Sequence, residues 1–315
     1  MNGYVAAAIA VLIWASYPVA TRAAVTGSFT PQELVTLRFG VGALLFLPYL
    51  MMHWRHIRPA AWLQGVPLML FQGAGMGALV ICGLQLAPAN HQAALGPGVV
   101  SAWVALLGFL IFARKPSGRL VVGAMFCAAG VLLIAWSGTT ERNTAVLAGD
   151  AMFLAASALG ALYVLQLRSW GVGAIQGAAI VTLYSAMVVV PWHLCSAPAS
   201  PWRATTLELL WQILWQGVLI GCVAFIALNH AIAKLGSERS SAIVALVPVL
   251  TASLALVFLG EVPSPAEIAA FLAISAGVSV GATSGKFLPS RAIRLPAAPP
   301  RSAPPAGYPV RDSAP

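Results

Sequence analysis

Charge is what this sequence has least of. Asp, Glu, Lys and Arg together make up 8% of the chain, against roughly 25% in soluble domains. So few charges cannot coat a water-facing surface, which excludes an ordinary soluble globule. Cysteine is sparse too. Cys82, Cys127, Cys195 and Cys222 lie within or at the ends of apolar runs, without metal-ligand spacing. They read as small core residues and exclude a disulfide framework. Other chemistries lack their residues altogether. No apolar run holds two acids, and there is no H-E-x-x-H, no Cys/His cluster and no phosphate-binding Gly-Lys loop. These gaps argue against an intramembrane enzyme with catalytic residues, against a resident metal or cofactor, and against ATP-driven work.

What is present is apolar residue, 60% of the 315. A membrane-spanning helix needs about 20 mostly apolar residues. Ten stretches qualify: 3–22, 33–52, 61–86, 89–113, 119–137, 147–168, 173–195, 207–234, 239–260 and 265–285. The expected fold is an all-α polytopic membrane protein. The opening run, "MNGYVAAAIAVLIWASYPVATR", lacks a basic leader region and is followed by further spans, so it reads as a retained first helix. Residues 286–315 are Pro-rich and basic, and are expected to form a disordered tail.

The net charge of +9 sits between the apolar runs. It therefore reads as membrane orientation, not as a nucleic-acid-binding surface. With the N-terminus in the cytoplasm, Arg55, Arg58, Arg114, Lys115, Arg119, Arg168, Lys234, Arg239 and the basic tail fall inside. Arg22, Arg38, Arg142 and Arg203 fall on or near the other side, with Glu33, Glu141, Asp150, Glu208, Glu261 and Glu267. That asymmetry places both termini in the cytoplasm.

The chain also repeats. "GLQLAPANHQAALGPGVVSAW" (83–103) registers over "HAIAKLGSERSSAIVALVPVL" (230–250) at an offset of 147. Pro116-Ser117 then falls over Pro263-Ser264, and Ala129-Gly130-Val131 over Ala276-Gly277-Val278. Two five-helix halves follow, residues 1–138 and 139–285. Because five is odd, the second half enters the membrane inverted, an arrangement that recurs in transporters with the site between the halves.

These stretches carry a resemblance. "IWASYPVATR", "PQELVTLRFGVGALLFLP", "GLQLAPANHQAALGPG" and the run from Leu228 to Val278 resemble the drug/metabolite transporter superfamily, in its EamA-type ten-helix members. The resemblance implies two inverted five-helix repeats around a central cavity, in a bacterial inner membrane. It implies secondary or facilitative export of small metabolites, such as amino acids or related amphipathic solutes, by alternating access. The partners it implies are a small-molecule substrate and the lipid bilayer, and it allows a homodimer. A non-transporting receptor or assembly subunit, or an importer of another solute, stays open. One departure is local: Gly260-Glu261 ends span 9, whereas Ala113-Arg114 stands at the corresponding place in the first half.

Polar or aromatic side chains at depth are the candidates for contact with a solute, since burying them is costly without a role. Trp14 and Tyr17 share a face of span 1, Gln72 lies in span 3, Trp103 in span 4, Tyr163 and Gln166 in span 6, and Asn229 and His230 at the end of span 8. Gly96-Pro97-Gly98 interrupts span 4. Its counterpart at the 147-residue offset is Ile243-Val244-Ala245, with Pro248 one turn further on in span 9. The triplet is expected to bend the helix and expose the Ala93 carbonyl to the cavity, or to let the helix flex. Replacing both glycines by alanine is expected to favour the straight helix by roughly 1 kcal/mol each. Arg38 and His91 are candidates for a charge role. Against it, an arginine near a span end can snorkel to the interface, and His91 near the end of span 4 reads most simply as an interfacial residue. Gly73/Gly77, Gly217/Gly221 and Gly277/Gly281 are spaced for close helix contact. The topology is directly testable. A reporter fused after Thr144 should report the outer side, and a cytoplasmic signal there would overturn both the orientation and the inversion.

Overall fold

Helix boundaries follow from capping chemistry. Thr30 and Glu33 cap one helix start reciprocally, Thr205 and Glu208 a second. Ser264 and Glu267 exchange the same pair of bonds at a third. Each acid also sits at the positive pole of its helix, where a carboxylate is favoured. The computed structural model describes residues 2–113, 116–140, 144–170, 172–196, 203–236, 240 and 243–282. The expected tail, 286–315, lies outside them.

The helices are α1 (Gly3–Val25), α2 (Pro31–His53), α3 (Pro59–Gln72), α4 (Ala74–Leu86), α5 (Ala89–Leu95), α6 (Val100–Phe112), α7 (Gly118–Thr140), α8 (Thr144–Trp170) and α9 (Ala174–Ser196). Then come α10 (Thr206–Gln212), a π-helical stretch Ile213–Val223, α11 (Ala224–Leu235), α12 (Val247–Leu259) and α13 (Pro265–Ala282). Joined across their breaks, 8 helices among the described residues are long and apolar enough to cross a membrane. Val247–Leu259 and Pro265–Gly281 are apolar but shorter. The ninth expected span is shortened by a turn before α12, and the described part of the tenth stops at residue 282.

The 147-residue offset recurs in three dimensions. α6 runs from 100 to 112 and α12 from 247 to 259, and α7 and α13 begin at 118 and 265. The ends match as well. Ala113 (φ 50°) closes α6 in a left-handed conformation with its N–H on the Gly108 carbonyl, while Gly260 (φ 68°) closes α12 on the Ala255 carbonyl. Alanine pays a steric cost there that glycine does not. Helix pairings also come in related couples: α1 packs on α11 and α4 on α8, α1 on α12 and α6 on α8, α2 on the π stretch and α3 on α9.

α7 and α13 meet each other, so this contact maps onto itself. A Cβ added at Gly277 would lie 2.6 Å from the Gly123 carbonyl oxygen and 2.8 Å from Cys127 Sγ. One added at Gly130 would lie 2.9 Å from the Ala270 oxygen and 2.5 Å from Ile274 Cγ1. Shifting Gly130, Ala270 and Ile274 by 147 residues gives Gly277, Gly123 and Cys127, so these are one contact seen from its two sides. Close backbone approach is what small residues permit between membrane helices.

Side-chain contacts sort the two ends of the bundle. Ser28 reaches Glu208 at 3.0 Å and Gln32 reaches Ser196 at 2.7 Å, at the end that also holds Glu33, Glu261 and Glu267. We refer to it as the acidic end. At the opposite end Arg58 donates to the Trp170 carbonyl at 2.8 Å and Gly3 abuts Lys234 and Leu235. The glycine seam gives a stability prediction. Gly277→Ala should lower the melting temperature of the purified protein, by the equivalent of about 1–3 kcal/mol for overpacking. Gly118→Ala, where a Cβ meets open space, should not lower it. Equal melting temperatures would remove the seam from the account.

Candidate functional site

Among the described residues, two clusters of charged and polar side chains stand out within the bundle. The first occupies the acidic end. His91, on the first turn of α5, is 1% exposed, and its Nδ1 lies 2.9 Å from Asp150 Oδ1 of α8. Its Nε2 lies 2.8 Å from Glu267 Oε1 of α13. Beside it, Arg22 of α1 donates to the carbonyls of Leu84 (2.7 Å) and Ala87 (2.5 Å), which end α4. Arg22 also pairs with Glu261, whose other oxygen accepts the Ala89 N–H at 2.9 Å and so caps α5. The turn between α4 and α5 is thus closed by one cation on the negative pole and one anion on the positive pole.

The second group lies deeper. Arg38 of α2 donates to the Tyr17 hydroxyl at 2.6 Å, with its guanidinium 5.1 Å from the Tyr17 ring centroid and 5.7 Å from that of Phe39. One turn along α1, Thr21 donates to the Tyr17 carbonyl at 2.8 Å and accepts from Gln216 Nε2 at 2.9 Å. Gln216 stands on the π stretch, a helix form frequent at functional sites. Its Oε1 and the Nε1 of Trp215 are buried without a hydrogen-bond partner among the described residues.

Backbone breaks flank these groups. α5 ends at Leu95, a short 3₁₀ turn spans Pro97–Val99, and α6 begins at Val100. Gly98 is buried: a Cβ on it would lie 2.6 Å from Ile274 Cγ2 and 3.5 Å from the Ala93 oxygen. The Ala93 carbonyl therefore faces Gly98, and Ala93 is fully buried. The expectation that this carbonyl opens to a cavity is corrected by that packing. Pro97 alone in the triplet is exposed. In the second half a turn at Ala245–Leu246 precedes α12, with buried Pro248 in its first turn and the Leu246 N–H on the Ile243 carbonyl at 3.1 Å. A further break, not read from the sequence, separates α3 from α4 at Gly73. There the Ser185 hydroxyl of α9 accepts the Ala74 N–H at 3.0 Å, and Gly73 leaves no room for a Cβ.

The profile of the EamA-like transporter family matches residues 1–136 and 147–282. The chain belongs to the EamA-like transporter family. No curated protein matches it. Among solved structures, one described as the crystal structure of a protein aligns at TM-score 0.60 and 20% identity. It covers 89% of this chain and 96% of the other, and speaks for the fold alone.

In this EamA-like bundle the remaining candidates sit in helix seams. Trp14 is half-buried against Val11, Ala15 and Val247. Gln72 ends α3 beside Gly160 of α8, with its Oε1 3.7 Å from where a Cβ on that glycine would stand. Tyr163, one turn on, is buried with Leu68 and Val181. Trp103 packs against Ala161 and Leu165. It also borders an apolar cleft of about 600 Å³ between α6 and α7, with Phe109, Met125, Cys127 and Val131 among its walls. Gln166 accepts from the Ser169 hydroxyl at 3.1 Å, and His230 is half-buried on α11. The side chain of Asn229 lies outside the described residues. So the structure joins Tyr17 to Arg38, and sets Gln72, Trp103 and Tyr163 along α8. It leaves Trp14 and Gln166 in separate seams.

Two corrections concern charge. His91 is not an interfacial histidine but one held inside by two carboxylates. Arg38 turns toward α1 and not along the lipid face. Sequence reading missed Asp150, Glu261, Glu267 and Gln216 as members of these groups. The Gly260-Glu261 pair was the available signal for one of them. The break itself is testable with a narrower change than straightening all three residues, because the packing of Gly96 and Gly98 makes alanine there a clash. Pro97→Ala should leave the melting temperature unchanged or raised while slowing flux per folded molecule. Gly98→Ala should lower the melting temperature. Unchanged flux in Pro97→Ala would reduce the break to packing.

Proposed function

We propose that the chain is a secondary or facilitative exporter of small amphipathic metabolites that carry a carboxylate, amino acids and their relatives, working by alternating access. Arg38 is the observation that carries this reading. It is half-buried inside an apolar span, with the Tyr17 hydroxyl at 2.6 Å and no carboxylate within ion-pair distance among the described residues. A cation in such surroundings is costly without a counter-charge, and an arriving carboxylate would supply one. Aromatic rings on either side suit an apolar body on the same solute.

In this reading residues 1–138 and 139–285 are repeats of opposite orientation, and exchange of their conformations opens the bundle first to one side and then to the other. The sorting of charge between the ends supports placing the acidic end outside and both termini in the cytoplasm of a bacterium. The breaks in α3–α4, α5–α6 and before α12 supply places where helices can turn without losing backbone hydrogen bonds to lipid.

The test is flux in proteoliposomes, with radiolabelled amino acids presented one at a time. At least one should move in wild type. Arg38→Gln should raise its half-saturation concentration about ten- to a hundredfold, the loss of one charge-assisted contact. The decarboxylated amine of the same solute should be transported poorly by wild type and no worse by the variant. Equal kinetics for wild type and Arg38→Gln would remove Arg38 from recognition. Absence of flux for every amino acid would remove the substrate class.

A further inference from the structure

We propose that His91, Asp150 and Glu267 form a proton-binding site at the acidic end, loaded when that end closes and emptied when it opens; its use in transport rests on the alternating-access reading above. Both ring nitrogens of His91 lie within 3 Å of a carboxylate oxygen, Nδ1 at 2.9 Å from Asp150 and Nε2 at 2.8 Å from Glu267. A neutral imidazole carries one N–H and can satisfy one such acceptor. The trio must therefore hold two protons, either both on the ring or one on the ring and one on a carboxyl. In both arrangements its net charge is −1.

Among the described residues no further charged side chain cancels that charge. The groups facing α5 are Asp150 from α8, Glu267 from α13, Arg22 from α1 and Glu261 from the segment before α13. Arg22 and Glu261 neutralise each other, and α4 and α12 contribute no charged side chain. Yet the side chains of His91 and Asp150 are only 1% and 8% exposed. A buried net charge is costly, and such groups tend to take up a proton instead.

The seat for that proton is also visible. Asp150 Oδ2 is buried with no hydrogen-bond partner among the described residues. The corresponding free oxygen of Glu267 already accepts the Ser264 N–H at 2.6 Å. Transfer of one proton from water to Asp150 Oδ2 turns the carboxylate into a carboxylic acid and brings the trio from −1 to neutral. A metal ion does not fit as the ligand. The two carboxylates bond opposite edges of one ring, so their oxygens share no point at which an ion could bridge them.

The placement ties the proton to movement. His91 belongs to the first half, Asp150 and Glu267 to the second. Opening the acidic end between the halves would part His91 from its carboxylates and admit water, which solvates a carboxylate and so lets the proton leave.

Infrared difference spectra of the full-length protein in lipid, stepped between alkaline and acid pH, read the proton directly and need no solute. A carboxylic-acid carbonyl band should appear, shift in deuterated water and vanish in Asp150→Asn while persisting in Glu33→Gln. Asp150→Glu should move the band if the asparagine variant fails to fold. A band unchanged in both Asp150 variants would overturn the site.

The coupling to opening is read by alkylation of Ala94→Cys, fully buried on α5, with the native cysteines replaced by alanine. Its rate, corrected with an exposed control at Thr26→Cys, should rise toward about tenfold per pH unit as the proton leaves, and become pH-independent in Asp150→Asn or, if that variant fails to fold, in Glu267→Gln. A corrected rate that ignores pH in the unaltered background would overturn the linkage. Because neither readout involves solute movement, failure here is distinct from failure of the flux assay.

Discussion

Inside lipid every backbone N–H and C=O must find a partner within the protein. The architecture depends on how this chain meets that demand where its helices stop short. At the acidic end, where α4 turns into α5 between two spans, the exposed helix poles are closed by Arg22 and Glu261. Between α3 and α4 the break leans on Ser185, fully buried on α9. Between α5 and α6 the Gly96 N–H returns to the Gln92 carbonyl at 2.8 Å, and Gly98 presses against Ile274 of α13. Each break thus recruits a neighbouring helix. Breaks that would be loops in water become points where helices interlock.

The same demand explains the glycines. α7 and α13 cross through Gly123, Gly130 and Gly277, with backbone against backbone, and the contact maps onto itself under the 147-residue offset. Small side chains on both faces let the two backbones approach closely along that seam. Around it the related helix pairs are distributed equally, and the polar groups are not. The His91 trio and the Arg22–Glu261 pair occupy the acidic end. At the equivalent place in the first half Ala113-Arg114 replaces Gly260-Glu261, so the two ends are alike in backbone and different in charge.

Legibility in the sequence followed the range of the interaction. The repeat register was readable because it rests on periodic local pattern, and α6 and α12 begin and end where the offset requires. The break at Pro97 was readable because proline acts on its own backbone. The break at Gly73 had only a glycine-rich run, Gly73-Ala74-Gly75-Met76-Gly77, to announce it, and Ser185, which accepts the Ala74 N–H, is 111 residues from Ala74. The π stretch had no local sign. The proton-site trio was least legible, since Asp150 and Glu267 lie 59 and 176 residues from His91. A buried histidine and an interfacial one look alike until the third dimension brings their partners in. In the sequence Asp150 and Glu267 register only as acids on the outer side, whereas Glu267 caps its helix while also gripping His91.

Alternating access requires the two halves to exchange conformations so that the ends open in turn. Distances between paired spin labels in lipid bilayers measure that most directly. One pair would join Thr26→Cys and Ala145→Cys at the acidic end, the other His56→Cys and Lys234→Cys at the opposite end. Alternating access gives two distance populations at each end, with the acidic-end pair lengthening as pH rises while the opposite pair shortens. A single distance at both ends, unmoved by pH or by a transported amino acid, would contradict it.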